Sequence, residues 1–262
     1  MRSASLVRMF AVPKPWLRLW PRLWLRPWLP GKRFRAAALV ALTWIATTAA
    51  VISQQATNAT DRMASSPTVT FTLDFPQSTP EHYSIAVNAD GHARYECTGK
   101  VEKDAEEEAY RTEFEVSPGN RARIFEWTKQ AQYFAGKVDS ANGKIAFMGA
   151  KVLSYQDSQK SNTARYNYSN LEAVRQLTAL FQGMAETQEY GRRLAYYHRY
   201  QKLALDEELK RMEAQAKNNE LNEIQGVAPI LREIVGDASV INGVRARAQE
   251  LIQMGTSAPT RH

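Results

Sequence analysis

The chain has 262 residues, 44% of them hydrophobic, and a formal net charge of +7 at pH 7. Its one cysteine, Cys97, excludes an intramolecular disulfide, so a hydrophobic core must stabilise the fold alone. Residues 1–35 contain nine Lys and Arg and no acidic residue, whereas the rest of the chain contains 25 basic and 27 acidic residues. Because the excess positive charge belongs to the N-terminal segment, we expect no nucleic-acid partner for the remainder.

An uncharged, mostly apolar run at residues 36–52 follows the basic segment. A basic region, an apolar region and small residues near its end are the order of a secretory signal peptide, and Thr48-Ala49-Ala50 offers a cleavage site. The 17 residues of the run also reach the lower limit for a membrane-spanning helix. Basic residues stay cytoplasmic in both cases, so we predict that the C-terminal part is exported. The protein is then either periplasmic after cleavage or anchored in the inner membrane by this run.

Composition and periodicity divide the chain further. A stretch rich in Ala, Ser, Thr and Asn follows the apolar run and is typical of a linker. The residues after it first mix strand and helix patterns and then become almost entirely helical. We therefore predict a basic leader (1–55), a linker (56–67), an α+β domain (68–186), a helical extension (187–254) and a flexible tail (255–262).

The predicted α+β domain opens with a strand at residues 68–75, in which apolar residues alternate, and a hairpin that allows two registers. A two-residue Asp90-Gly91 turn would place apolar residues opposite charged ones. A three-residue loop with a bulge at Gly91 matches apolar residues instead, so we expect this second register. It pairs Val87 with Ala93, Ile85 with Tyr95, and Tyr83 with Cys97. Cys97 then lies on the core face as a small buried hydrophobe.

An acidic stretch separates this hairpin from the next strand. Residues 101–110 are rich in Asp and Glu but lack the spaced ligands and turning glycine of a cation site, so we expect a solvated loop. A strand at 112–116 follows. Ser117 then caps a helix that has Pro118 at its first position, an arrangement typical of helix N-termini.

A second hairpin and a long helix complete the pattern. Leu153 and Tyr155 are expected opposite Ala164 and Tyr166 in the hairpin. The helical pattern begins near residue 170 and continues to about residue 218, with Gly191 as a weak interruption that costs about 1 kcal/mol.

Three or four strands, a helix, two strands and a helix, in that order, are typical of an α+β layer. We predict an antiparallel sheet with helices packed on one face, followed by a C-terminal helical extension or small helical bundle. Apolar residues between 221 and 252 must be buried against another part of the chain or another subunit. Either the long helix folds onto them, or another subunit covers them.

The order of strands, turns and helices in residues 68–186 resembles an uncharacterised bacterial domain of unknown function. The residues that carry this resemblance are Tyr83, Ile85, Val87, Asp90, Gly91, Tyr95, Gly99, Val116, Ser117, Pro118, Ile124, Tyr133, Phe134, Asp139, Leu153 and Tyr155. The whole chain is also similar to exported hypothetical proteins of soil bacteria, particularly acidobacteria. The matching positions are core and turn residues, so the resemblance implies a fold and no activity.

One part of the long helix combines aromatic and basic residues: 190–202 contains four Tyr and four Lys or Arg. This mixture suits an anionic surface of lipid, polysaccharide or protein. The same residues also fit a helix with its Tyr packed inward and its basic side chains directed to solvent. The candidate partner surface consists of Arg192, Arg193, Tyr196, Arg199, Tyr200 and Lys202.

The sequence contains no recognisable catalytic, phosphate-binding or metal-binding motif, and we assign no catalytic, cofactor or metal residue. We predict an exported cell-envelope protein that acts as a non-catalytic binding or structural module, through contacts with a protein partner or with a second copy. The alternative is a periplasmic hydrolase with a carboxylate-based site between the sheet domain and the helical tail.

Overall fold

The computed structural model describes residues 66–257, apart from 77, 103–104 and 141–143. The predicted leader, with its apolar run 36–52, lies outside the described residues, as does most of the linker. Within the described part, no helix is both long and apolar enough to cross a membrane. All of the described residues belong to one compact unit.

Six strands form a single antiparallel sheet in the spatial order β4-β3-β2-β1-β5-β6. Alternate side chains of the strands, such as Val69, Phe71 and Ile85, are completely buried, because only one face of the sheet is covered by helices. The strands are β1 (Thr68–Asp74), β2 (His82–Asn88), β3 (His92–Lys100), β4 (Glu107–Glu115), β5 (Ala150–Gln156) and β6 (Ser161–Tyr166).

The bulged register of the first hairpin is confirmed. Val87 lies opposite Ala93, Ile85 opposite Tyr95, and Tyr83 opposite Cys97. Gly91 has a φ of +101°, which a side chain would strain, and Cys97 is only 3% exposed.

The second hairpin and the acidic stretch differ from the prediction. Leu153 does lie opposite Ala164, but Tyr155 lies opposite Asn162, and Tyr166 lies opposite Lys151, two pairs away from Leu153. The predicted acidic loop is wrong in its second half, because Glu107 already begins β4. β4 is an edge strand, where outward-facing acidic residues remain solvated and oppose pairing with another chain.

In the described part of the chain, five α-helices follow or interrupt the sheet, and the predicted α+β class is therefore correct. Ile124 and Leu177 belong to helices that cover the sheet, and both are completely buried against it. The helices are α1 (Pro118–Gln130), α2 (Glu172–Tyr200), α3 (Leu205–Lys217), α4 (Ala228–Gly236) and α5 (Asn242–Ser257).

The prediction of one helix to about residue 218 is wrong. α2 ends at Tyr200, and Gln201 adopts a non-helical conformation with φ −145° and ψ 60°. A short 3-10 turn leads into α3. The break allows Leu205, Leu209 and Met212 to reach the same core as Leu194, which a straight helix would have carried into solvent.

The helical residues form a second core beside the first. Tyr190 and Leu194 of α2 pack there with side chains of α3, α4 and α5, including Leu231, Val244 and Leu251. The long helix therefore takes part in both cores: its first half covers the sheet and its second half belongs to a small helical bundle. The predicted boundary at 186/187 lies inside α2.

Glu223, from the segment that joins α3 to α4, binds the N-terminal end of α1. Ser117 caps α1 as predicted, and Asn120 donates its backbone N–H to the Ser117 hydroxyl at 3.4 Å. In addition, the buried carboxylate of Glu223 accepts bonds from the Ser117 N–H at 3.0 Å and from the Asn120 side-chain amide at 2.8 Å. Negative charge at a helix N-terminus is favourable, so Glu223 ties the bundle to α1.

Candidate functional site

The second half of α2 crosses the ends of β3 and β4, and two grooves lie there on either side of the segment that begins at Val101. One groove, of about 570 Å³, is lined by Glu108, Tyr110 and the outer residues of α2. The other, of about 630 Å³, is lined by Lys100 and by Glu186 and Arg193 of α2, with Glu208 of α3. The candidate site therefore lies where the sheet end meets the bundle.

A buried charged network forms the base of this region. Glu189 accepts bonds from the Tyr95 hydroxyl at 2.7 Å and from the Cys97 thiol at 3.2 Å. Arg192 lies 3.7 Å from the other Glu189 oxygen, and both side chains are about as inaccessible as the core, at 3% and 4% exposure. The Arg192 guanidinium also donates to the Gly99 carbonyl at 2.6 Å. These bonds join α2 to β3 through groups that water does not reach.

The buried network keeps the Cys97 thiol and the Tyr95 hydroxyl protonated. Burial, and then the charge of Glu189, raises the pKa of the Cys97 thiol to about 12. The same two causes raise the pKa of Tyr95 well above its usual range. A thiol that stays protonated is a poor nucleophile, so Cys97 acts here as a packed hydrogen-bonding group.

A second ion-pair cluster lies in the larger groove. Arg193 donates to Glu208, whose side chain is 5% exposed, and to Glu186 at 3.3 Å. Burial alone would lower the pKa of Arg193, but Glu208 and Glu186 raise it above its ordinary value. The Arg193 guanidinium also lies 4.5 Å from the centre of the Tyr190 ring. Arg193 thereby holds α2 against α3.

The outer end of α2 presents the exposed part of the site. Tyr196 and Tyr200 contact each other with ring centres 5.1 Å apart, and the Arg199 guanidinium lies 5.2 Å from the Tyr200 ring. Tyr200 is 61% exposed, and Leu203, in the turn before α3, is 93% exposed. We name Tyr196, Arg199, Tyr200 and Leu203 the α2–α3 corner.

Lys202 and His198 are held by an aspartate that follows α4. Asp237 accepts from the Lys202 ammonium at 2.6 Å and lies 2.9 Å from Nε2 of His198. Lys202, then Ser239, and then His198 hold the pKa of Asp237 well below its usual range. The Ser239 hydroxyl donates to the Asp237 carboxylate rather than to His198, so these groups do not form a nucleophile activated by a base.

The structure divides the six predicted surface residues into three groups. Arg192 is buried and Arg193 is mostly buried, so both are corrected from surface residues to internal ion-pair partners. Lys202 is half exposed and paired with Asp237. Only Tyr196, Arg199 and Tyr200 lie together on an accessible surface. The alternative in which tyrosines face inward and basic residues face outward is wrong at Arg192, Arg193 and Tyr200.

Sequence reasoning missed Glu189, Glu208 and Leu203. Glu189 and Glu208 follow ordinary helical charge patterns, and only their burial distinguishes them from solvated residues. A signal for Glu189 did exist: it lies three positions before Arg192, which is ion-pair spacing on a helix. The exposure of Leu203 could not be predicted from the sequence, because it depends on the end of α2 at Tyr200.

The arrangement is suited to binding. Two of the carboxylates that line the larger groove, Glu186 and Glu208, accept N–H bonds from Arg193, and the third, Glu102, accepts from the Tyr197 hydroxyl. Among the described residues no group of three or more His, Cys, Asp or Glu is placed to hold a metal ion. Exposed aromatic rings beside a guanidinium are typical of the residues that contribute most to protein–protein affinity.

Comparison with known proteins adds no family. The chain matches no protein-family model, and no curated protein is significantly similar to it. The resemblance to exported acidobacterial proteins therefore stays a prediction.

Proposed function

We propose that this chain is an exported cell-envelope protein that acts as a non-catalytic binding module, and that the α2–α3 corner is its partner surface. The observation that carries the proposal is the exposure of Leu203, at 93%, three positions after Tyr200, at 61%. Apolar side chains of this size, gathered with an arginine at one corner, gain the most free energy when a partner covers them.

The buried charges below the corner support this role. The bonds of Arg192 to Glu189 and Gly99, and of Arg193 to Glu208, fix the direction in which α2 leaves the sheet. A rigid support reduces the conformational entropy that binding must remove. The partner is a protein or a second copy of the chain, because tyrosine and arginine together are enriched at protein interfaces.

Site-specific photocrosslinking in envelope fractions tests the proposal. A photoreactive benzoylphenylalanine at position 203 should give a discrete crosslinked product, whereas the same residue at position 129, an exposed site on α1, should not. A product of twice the chain mass indicates self-association, and another mass indicates a different protein. Arg199→Ala combined with Tyr200→Ala should abolish the product without lowering the melting temperature, because both side chains are exposed.

Two results would contradict the proposal: equal crosslinking from positions 203 and 129, or no product from position 203 in any envelope fraction. Recovery of the intact chain, leader included, from the cytosol alone would contradict the export that the proposal assumes.

The hydrolase alternative has one observation in its favour: the larger groove brings Glu186 and the buried Glu208 together. Against it, Arg193 donates to one oxygen of each carboxylate, and Arg211 lies 3.9 Å from the second oxygen of Glu208. Ion-paired carboxylates of this kind are less available as an acid–base pair for a substrate. The binding role is therefore the better supported function.

A further inference from the structure

A lysine occupies a core position at the opposite edge of the sheet. Lys151 of β5 points to the same covered face as Leu153 and Tyr155, and only 7% of it is exposed. Burying a charged group is costly unless an opposite charge or hydrogen bonds compensate it. Its presence among apolar neighbours therefore needs an explanation.

The ammonium group of Lys151 has hydrogen bonds but no anion among the residues that the structure describes. It donates to the carbonyl oxygens of Met148, at 3.0 Å, and Asn167, at 3.1 Å. An ammonium has three N–H donors, and the third has no acceptor among the described residues. Burial lowers the pKa of Lys151, with no opposing effect from a nearby carboxylate. A positive charge with a free donor is thus held in place by two backbone carbonyls.

A mostly apolar cavity of about 280 Å³ lies next to this ammonium. Its walls come from α2 and from the segments before β5 and after β6, including Ile145, Met148, Tyr166, Val174 and Thr178. The buried and half-buried polar groups in these walls are already paired, whereas Arg175, which bonds to Glu172 and to the Asn170 carbonyl, and Gln182 are exposed. The Tyr166 and Thr178 hydroxyls bond to each other at 2.6 Å, and the Asn167 side chain bonds to the backbone of Ala146 and Met148. Lys151 is therefore the buried anchor that remains for a ligand.

We propose that this cavity binds a small aliphatic monocarboxylate, with its carboxylate on the Lys151 ammonium and its hydrocarbon chain against the apolar walls. The anion supplies both the missing charge and the acceptor for the third N–H. The cavity volume is near the lower end of the range for ligand sites, which favours a short chain. Met148, which is 66% exposed, lies at the rim, where it can close over the hydrocarbon.

This site is separate from the proposed partner surface. Lys151 lies on β5, whereas the α2–α3 corner lies beyond β3 and β4 at the other edge. The arrangement also has a purely structural interpretation, in which Lys151 only joins the segments that contain Met148 and Asn167. The two interpretations differ in what happens when the ligand loses its charge.

Calorimetric titration of the full chain with sodium octanoate and with 1-octanol distinguishes them. The two probes share the hydrocarbon chain and differ in the head group. If Lys151 recognises a carboxylate, octanoate should bind at least about tenfold more tightly than octanol, since a charge-assisted hydrogen bond contributes this much or more. Lys151→Met should reduce octanoate binding to the level of octanol, while Lys151→Arg, which keeps the charge, should retain part of the preference.

Two control variants keep the test independent of folding defects. Lys129→Met removes an exposed lysine on α1 and should leave both affinities unchanged. Ala179→Trp adds bulk at an exposed position that lines the cavity, so it should abolish binding of both probes without disturbing the core. Equal affinity of wild type for octanoate and octanol, binding of neither, or octanoate binding that survives Ala179→Trp would each overturn the proposal.

Discussion

Glu189 and Arg192 are three residues apart on α2 and are both withdrawn from solvent. Each charge is costly to bury alone, and each is tolerated because the other lies beside it and because Tyr95, Cys97 and Gly99 complete the hydrogen bonds. At the scale of the residue, this pair specifies how the bundle meets the sheet. An apolar pair of the same volume could have been as stable, but it would not have fixed the same hydrogen-bonded arrangement.

We expect Glu189→Gln to lower the free energy of unfolding by roughly 3–5 kcal/mol, because it leaves the buried Arg192 guanidinium with only the exposed Glu108 carboxylate, 4.0 Å away. Urea denaturation followed by circular dichroism measures this change. The control is Glu107→Gln, since Glu107 is exposed on the edge strand and its loss should change stability by less than about 0.5 kcal/mol. A Glu189→Gln variant as stable as the control would show that the ion pair does not stabilise the fold.

At the scale of the element, α2 carries a stripe of small residues that accepts another backbone. Gly183, Thr187 and Gly191 recur every four residues on one face. The segment before α4 crosses this stripe: Asn222 donates its backbone N–H to the Gly183 carbonyl at 3.2 Å, and the Thr187 hydroxyl lies 2.8 Å from the Asn222 carbonyl oxygen. A Cβ at Gly191 would lie 2.5 Å from a Val227 methyl group. Gly191, which the sequence presents as a weak point of the helix, is thus a contact site.

We expect Gly183→Ala to destabilise the protein by about 1–3 kcal/mol, although alanine is the better helix former by about 1 kcal/mol. The added Cβ would lie 2.2 Å from the Asn222 amide nitrogen and 2.7 Å from the Glu220 carbonyl oxygen, so backbone must move. Gly243→Ala in α5 is the matched control, because no atom lies within 4 Å of the added Cβ. The higher helix propensity of alanine should therefore raise the melting temperature. The prediction fails if both substitutions raise the melting temperature.

At the scale of the whole molecule, one helix belongs to two cores. The first half of α2 contributes Leu177 and Phe181 to the core under the sheet, and the second half contributes Leu194 to the bundle. Glu223 connects the bundle to α1 as well. Neither core can lose α2 without exposing a large apolar area, so the two should be thermodynamically coupled.

We therefore expect the sheet and the bundle to unfold in one cooperative transition. Native-state hydrogen exchange of the full chain should give the same opening free energy for amides of Phe71 in β1 and of Ala248 in α5, both of which are completely buried. Thermal unfolding followed by calorimetry should show a single peak for these regions with equal calorimetric and van't Hoff enthalpies. A bundle that opens at a much lower free energy than the sheet would show that residues 187–254 form an independent extension.

Most of the fold follows from local signals. Period-two alternation identified β1 and the first hairpin, and apolar matching across the Asp90-Gly91 turn selected the correct register. Ser117 and Pro118 marked the start of α1. The predicted start of β4 was wrong because its acidic residues have no clear preference for strand or loop. The acidic residues that begin β4 are compatible with loop or edge strand, and only pairing with β3 decides between them.

The candidate site was predicted less well. The sequence located the region on α2 but assigned Arg192 and Arg193 to the surface, because a basic helical residue is exposed far more often than buried. Lys151 was not recognised, although it is in phase with Leu153 and Tyr155 along β5, because a lysine is exposed far more often than buried.

The sequence by itself determined the α+β class, the first strand and hairpin register, the start of α1 and the segregation of positive charge in the first 35 residues, because each depends on neighbours in the chain or on composition. The tertiary structure alone decided which charges are buried, that α2 ends before Leu203, and that Lys151 lies beside a cavity. Burial depends on what packs against a residue from distant parts of the chain. The free energy of a charge depends in turn on that burial, so its role emerges only when the elements have packed.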